Sequence, residues 1–395
     1  MRNISLNVLY ALAVFPFCAS GQEWKTECVG YYQLQLPDHL EVALYPVRDL
    51  TNPRKQPMSS YGIQFKRYAS PGITFEKTYY RQDIGAVQSQ FSVMYYGDYE
   101  IEISSESDEA IDFPAYKVRE KDDKFFLTDV ARKKQKHRLE LFKEPLMPEN
   151  EFNRLYGYLV KDYPNAFSLY ELSMYVLYIN KVNRLYNFWK NPRKNAIDKT
   201  WTVEKEWRDS EPEVLSLLSR FRPRKLYEVP EEQGFCMPYG FIAGDSGHEP
   251  RNMAVTYRLK THPDVTIFFQ DLGMKPTAGF IRPENESAKD FVTYLWNRKY
   301  QWSAVSKELI RPKWREIKMD EREGLGTFVK STFKDGSIDY GYVAYVQGDH
   351  TSRNEQPDLL LYVMQDSRQA KDQPPMDKDE LEKMAEHIVR SVKRR

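Results

Sequence analysis

Four residues invite a catalytic reading: Gly244-Asp245-Ser246-Gly247. A serine in that setting attacks a carbonyl carbon when a histidine takes its proton, a buried aspartate orients the histidine and N–H groups hold the oxyanion. The next residues, His248-Glu249-Pro250, do not continue a protease nucleophile loop, and no histidine motif or multiple-disulfide framework accompanies them. Asp, Ser and Gly in sequence are also the ordinary residues of a turn. The turn is the favoured reading.

Other chemistry is equally hard to assemble. There is no G-x-S-x-G elbow, no Walker-type phosphate loop and no G-x-G-x-x-G. His39, His137, His248, His262, His350 and His387 show no H-E-x-x-H or other ligand spacing, so a metal would need scattered ligands. No catalytic residue, metal or cofactor is expected, and the chain reads as a non-enzyme. Fifty-eight Lys+Arg against 57 Asp+Glu leave a formal charge of +1, without the positive field that nucleic-acid binding needs. Tyrosine is abundant at 28, with clusters at Tyr79-Tyr80 and Tyr95-Tyr96-Tyr99. Its apolar ring and polar tip suit an interface, and equally a core.

The N-terminus has the order of a secretory signal: Met1-Arg2-Asn3, an apolar stretch from Ile4 to Phe17, then the small residues Cys18-Ala19-Ser20-Gly21. A leader over 1–21, cleaved near Ser20 or Gly21, is expected. Beyond it no apolar run approaches the ~18 residues of a membrane span. Export would leave Cys28 and Cys236 as an even pair in an oxidising compartment. They are disulfide candidates; two separate buried thiols is the alternative.

The remaining 370-odd positions suit two or three domains. Period-two alternation of Tyr32, Leu34 and Leu36 with Gln33 and Gln35, then Val42, Leu44, Ile63 and Phe65, predicts mainly strands from Cys28 to about Leu141, with a turn at Ser70-Pro71-Gly72. An acidic run from Asp98 to Asp112 and a basic run from Arg132 to Arg138 read as solvated faces or loops. Pro148-Glu149 opens a helix carrying Phe152, Leu155, Tyr156, Leu159 and Val160. The spacing of Leu172, Tyr175, Val176, Ile179, Val182, Tyr186 and Trp189 predicts a longer helix over Ser168–Asn191, stopped by Pro192. A short helix over Pro212–Arg220 precedes a Pro/Arg-rich connection, where the domains divide into 22–225 and 226–395.

The second half predicts strands at Met253–Tyr257, Val265–Phe269, Gly326–Thr332, Tyr340–Val346 and Leu359–Met364. Turns fall at His262-Pro263-Asp264 and Lys334-Asp335-Gly336. Helices are expected over Ser287–Glu308 and Asp377–Val392, the latter with an acidic first turn and a basic end that suit its dipole. The fold class is α+β: two domains, each an antiparallel β-sheet with packed helices. Leu217–Arg224 echoes Ile388–Arg395, and each half starts near a cysteine followed by Gly and Tyr, hinting at a duplication.

Cys28-Val29-Gly30-Tyr31-Tyr32 running to Leu36-Pro37 forms one distinctive segment. Gly234-Phe235-Cys236, Gly240-Phe241-Ile242 and Pro263-Asp264-Val265-Thr266-Ile267 form another, and Ser391–Arg395 closes the chain. Together they resemble the immunity proteins paired with class-four type VI secretion lipase effectors. Tyr31 and Gln35 stand where that family's pattern has Arg and Asp. The resemblance implies a periplasmic antitoxin that binds a cognate phospholipase effector and blocks substrate access or lid opening. It implies two domains that could hold the effector from both sides, and marks no partner-contact residue. An exported hydrolase with an unrecognised site, Ser246 being its best residue, and an envelope scaffold or ligand-binding protein are the competing readings.

Overall fold

Alternating side chains build the first hairpin. Strands β1 (Trp24–Val29) and β2 (Tyr32–Pro37) pair antiparallel, with Tyr32, Leu34 and Leu36 buried while Gln33 and Gln35 face outward. A computed structural model describes residues 23–51, 75, 93–171, 174–190, 200–274, 286–299, 303–370 and 372–395. The expected leader, the alternation at Ile63 and Phe65, the turn at Ser70-Pro71-Gly72, the Tyr79-Tyr80 pair and Pro192 lie outside those residues.

The first half continues with β3 (Leu40–Val42), β4 (Val93–Tyr96), β5 (Tyr99–Ile103), β6 (Leu159–Tyr163), β7 (Ala166–Glu171), β8 (Met174–Lys181) and β9 (Arg184–Lys190). The second half begins with three short strands, β10 (Phe221–Pro223), β11 (Gly234–Met237) and β12 (Gly240–Ala243), which form a small sheet in the order β10-β12-β11. Then come β13 (Arg251–Leu259), β14 (Val265–Leu272), β15 (Ser306–Leu309), β16 (Arg315–Met319), β17 (Arg322–Thr332), β18 (Ile338–Val346), β19 (Asp358–Gln365) and β20 (Lys393–Arg394).

Each half contributes an antiparallel set, and the sets join. The order β15-β17-β18-β19-β14-β13-β4-β5-β9-β8-β7-β6 runs through a 14-stranded sheet in which β16 pairs β17 and β3 pairs β13. The junction is β13: Arg251–Ala254 pairs with β4, while Tyr257–Leu259 pairs with β3. β20, the end of the chain, returns to the first hairpin and pairs with β2. One apolar cluster spans both halves, holding Leu34, Tyr186 and Phe188 together with Val255, Phe269 and Ile388.

Helices cover the sheet. Glu149–Tyr156 follows its cap Pro148 as expected and buries Phe152, but it ends before Leu159 and Val160, which lie in β6. Val203–Arg220 is capped by Thr202, whose Oγ1 accepts from Lys205 N at 3.1 Å; it starts well before the expected Pro212, which lies inside it. The closing helix, Lys378–Ser391, is capped by Asp377 and buries Leu381, Met384, Ala385, Ile388 and Val389.

Three expectations are corrected. The helix expected over Ser168–Asn191 is the strand run β7–β9. Its apolar residues serve both faces: Tyr170, Tyr175, Leu177 and Ile179 join the main core, while Phe167, Leu169, Val176 and Tyr178 pack on the opposite side. A segment buried on both faces is apolar at every period, so helical spacing was met incidentally. Aromatic and β-branched content favours strand, and Val182-Asn183, both near φ +50, turns the chain between β8 and β9.

The strand expectation up to Leu141 fails at a 30-residue helix, Phe113–Phe142. Asp112 Oδ1 caps it by accepting from Ala115 N at 3.0 Å, and Pro114 occupies its first turn. Only Tyr116 and Glu120 are buried, so it lacks the apolar stripe that would have revealed it. The helix expected over Ser287–Glu308 is shorter: Ala288–Tyr294 continues as a π-turn through Lys299, and Ser306–Leu309 is strand.

Candidate functional site

The distinctive residues of the two halves meet at one place. Gly30 and Cys236 exchange backbone hydrogen bonds, Gly30 N to Cys236 O at 2.8 Å and Cys236 N to Gly30 O at 3.0 Å. That contact aligns the ends of β1 and β11 and sets the Cys28 and Cys236 Cα atoms 5.7 Å apart, joined as a disulfide. Phe241 packs with both cysteines in a small satellite core. Gly30 has φ +60°, and a Cβ there would lie 2.3 Å from Asp271 Oδ2. Glycine is required twice over, by backbone conformation and by space.

Two buried ion pairs flank this contact. Glu27 and Arg224 are paired at full burial, and Arg224 also donates to Cys28 O at 3.0 Å and Met237 O at 3.2 Å. Glu27 further accepts from the backbone N–H groups of Cys28 and Tyr227. Arg251 Nε donates to Asp271 Oδ2 at 2.7 Å, and Tyr31 N donates to the same oxygen at 3.1 Å. The Arg251 guanidinium lies 4.6 Å from the Tyr31 ring centre, a cation–π contact. Its Nη1 reaches Asn354 O at 2.8 Å.

The chain terminus completes the junction. Arg395 N donates to Tyr31 O at 3.0 Å, and its guanidinium donates to the carbonyls of Pro230, Glu232 and Gly234. Burial pushes Arg395 below the usual arginine range, with nearby Arg224 acting in the same direction. Arg394 donates to Gly247 O at 2.7 Å and Glu355 O at 2.6 Å. Tyr31, Gln33, Gln233, His248, Arg394 and Arg395 are among the residues lining a cleft of about 650 Å³.

The Gly244–Gly247 string is a turn on the wall of this cleft. Asp245 Oδ1 accepts from Gly247 N at 3.0 Å, and Oδ2 accepts from Tyr31 OH at 2.7 Å and Tyr96 OH at 3.1 Å. Burial, then the hydrogen bond to Asp245, holds the Tyr31 hydroxyl above its ordinary range and therefore protonated. Ser246 Oγ donates to Glu249 Oε1 at 3.3 Å and accepts from His248 N at 3.1 Å. The hydroxyl is engaged by a carboxylate and a backbone amide rather than an imidazole, so the geometry is that of a turn. Among the described residues, no group of three or more His, Cys, Asp or Glu is placed to hold a metal.

Residues 228–395 match the family model of the Tle cognate immunity protein 4 C-terminal domain. The C-terminal part of this chain is similar to that family. Its match starts a few residues beyond the Arg222–Arg224 connection and runs to the last residue.

The whole fold has solved counterparts. The structure of "immunity protein TplEi of T6SS from Pseudomonas aeruginosa complexed with 'L' peptide" superposes with a TM-score of 0.52 at 16% identity, covering 94% of this chain and 98% of that one. The crystal structure of a Tle4–Tli4 complex gives a TM-score of 0.51 at 17% identity, covering 94% of this chain and 97% of that one. Apo TplEi from the same organism gives 0.50 at 17% identity, covering 94% and 97%. At such identities the likeness is one of fold. No curated protein matches the sequence.

The sequence resemblance pointed to this junction without resolving its parts. Gly30, Tyr31, Cys28 and Cys236 are all there. Tyr31, where the family pattern has Arg, receives a guanidinium from Arg251 across the junction. Gln35, where the pattern has Asp, binds the closing helix: its N–H donates to Ser391 Oγ at 2.8 Å, and its Oε1 meets His387 Nε2 at 2.7 Å. Glu27, Arg224, Arg251 and Asp271 escaped the sequence reading, because lone charges in a chain with 115 of them carry no signal until folding buries them.

Proposed function

We propose that this chain is a periplasmic immunity protein. It would be exported by a leader over residues 1–21 and would inhibit a cognate type VI secretion phospholipase effector by blocking substrate access or lid opening. The carrying observation is the family match over residues 228–395, supported by fold likeness across nearly the whole chain. In the Tle4–Tli4 complex, a protein of this fold is seen with its partner.

The junction suits such a role. Domains over 22–225 and 226–395 cross-connected by β4–β13 pairing, by β20 on β2 and by the Cys28–Cys236 contact would present their surfaces in fixed relation. A preorganised inhibitor loses little entropy on binding. A stoichiometric complex would bury on the order of 1,600 Å². The test is co-purification of tagged residues 22–395 with the phospholipase encoded beside it. A 1:1 complex that survives gel filtration supports the reading; an effector that elutes alone contradicts it.

A further inference from the structure

The helix Phe113–Phe142 is about 45 Å long at 1.5 Å per residue, and only its beginning rests on the sheet. Tyr116 packs edge-on against Tyr178 and Phe167, and Glu120 Oε2 accepts from Tyr178 OH at 2.9 Å. Further out, the helix is braced by Glu149–Tyr156. Thr128 Oγ1 donates to Tyr156 O at 2.8 Å, Arg132 binds Glu149 and lies 4.3 Å from the Phe152 ring centre, and Met147 N donates to Gln135 Oε1 at 3.3 Å. Beyond Gln135, every residue from Lys136 to Lys143 is exposed. The helix ends as a free arm.

The end of that arm is apolar. Leu139, Leu141, Phe142 and Leu146 are 37%, 59%, 66% and 50% exposed. Single exposed apolar residues are common on a surface, but four within eight residues on a projecting tip form a patch. The fold makes no use of them. The stretch from Arg132 to Met147 also carries the cations Arg132, Lys133, Lys134, Lys136, Arg138 and Lys143 against Glu140 and Glu144. Arg138 is paired with Glu144, Lys133 with Asp129 and Arg132 with Glu149.

We infer that the arm tip is a peripheral contact for an anionic phospholipid surface. Leucine and phenylalanine side chains enter the headgroup–acyl boundary, while long lysine and arginine side chains keep their charges at the phosphates. The occupant follows from charge complementarity: an apolar tip at the end of a cationic helix segment matches apolar tails beneath an anionic headgroup layer. Contact by one short tip is weak and reversible, distinct from a membrane span; no helix among the described residues is long and apolar enough to cross a bilayer. The inference stands apart from the effector reading, since lipid binding needs no effector.

The test is sedimentation of residues 22–395 with vesicles of phosphatidylglycerol in phosphatidylethanolamine, and with vesicles of phosphatidylcholine. The anionic vesicles should retain about tenfold more protein, falling as salt rises. Leu141→Ser with Phe142→Ser, and separately Lys133→Gln with Lys134→Gln and Lys136→Gln, should each lower retention about tenfold, with thermal unfolding unchanged. Equal retention on both lipids, or of the Leu141/Phe142 variant and the parent, overturns the inference. So does unchanged vesicle binding accompanied by loss of a self-associated dimer or of the effector complex, which would assign the tip to protein contact.

Discussion

Glu27 and Arg224 stand 197 positions apart and form an ion pair at 0% and 1% side-chain exposure. The pair ties β1 of the first half to the connection that opens the second, and Arg224 also donates to carbonyls of β1, β11 and β12 and to those of Lys225 and Glu228. Removing one partner strands the other charge. Arg224→Met is expected to lower unfolding free energy by about 3–5 kcal/mol, read by urea denaturation. A loss under ~1 kcal/mol, the size of a surface pair, would show that the junction does not hold the halves together.

Cys28 and Cys236 close a loop with a sequence separation of 208. Intact-mass analysis without reductant is expected to show the pair bridged, and Cys28→Ser should cost about 2–5 kcal/mol. Two free thiols in protein purified from an oxidising compartment would contradict the bridge.

Gly30→Ala meets both a left-handed backbone and the Asp271 carboxylate. A loss of about 2–4 kcal/mol is expected, combining αL strain with displacement of a buried pair. Gly97→Ala is the control: it also has positive φ, but no atom lies within 4 Å of the added Cβ. Equal losses would mean that the close approach to Asp271 carries no weight.

Alkaline pH should unfold the protein through its buried tyrosines. Burial raises Tyr31 above its ordinary 10.0, with Asp245 adding to the shift, and pushes Tyr342 up to about 12. Below pH 10 both are neutral in folded and unfolded chains. Above it the unfolded chain loses protons that the folded chain keeps, so stability falls as pH rises. Tyrosinate absorbance for the buried set should appear together with loss of near-ultraviolet circular dichroism. Ionisation of Tyr31 or Tyr342 at pH 10–11 in a still-folded protein would contradict the assignment.

How much could be read in advance depended on which faces a segment buries. β2 has one face inward, so Tyr32, Leu34 and Leu36 declared it; the closing helix likewise shows its stripe and its Asp377 cap. β8, buried on both faces, imitated a helix, and Phe113–Phe142, buried almost nowhere, left no periodic trace. Ser246 was legible as a turn residue because its neighbours are turn formers. The Arg251–Asp271 pair was not, since burial alone distinguishes it from other charges.

The proposed inhibition by direct binding is tested by lipid hydrolysis by the cognate phospholipase, titrated with residues 22–395. A linear fall to near zero at one equivalent is expected, as for a tight stoichiometric inhibitor. Hydrolysis undiminished at several equivalents would contradict it.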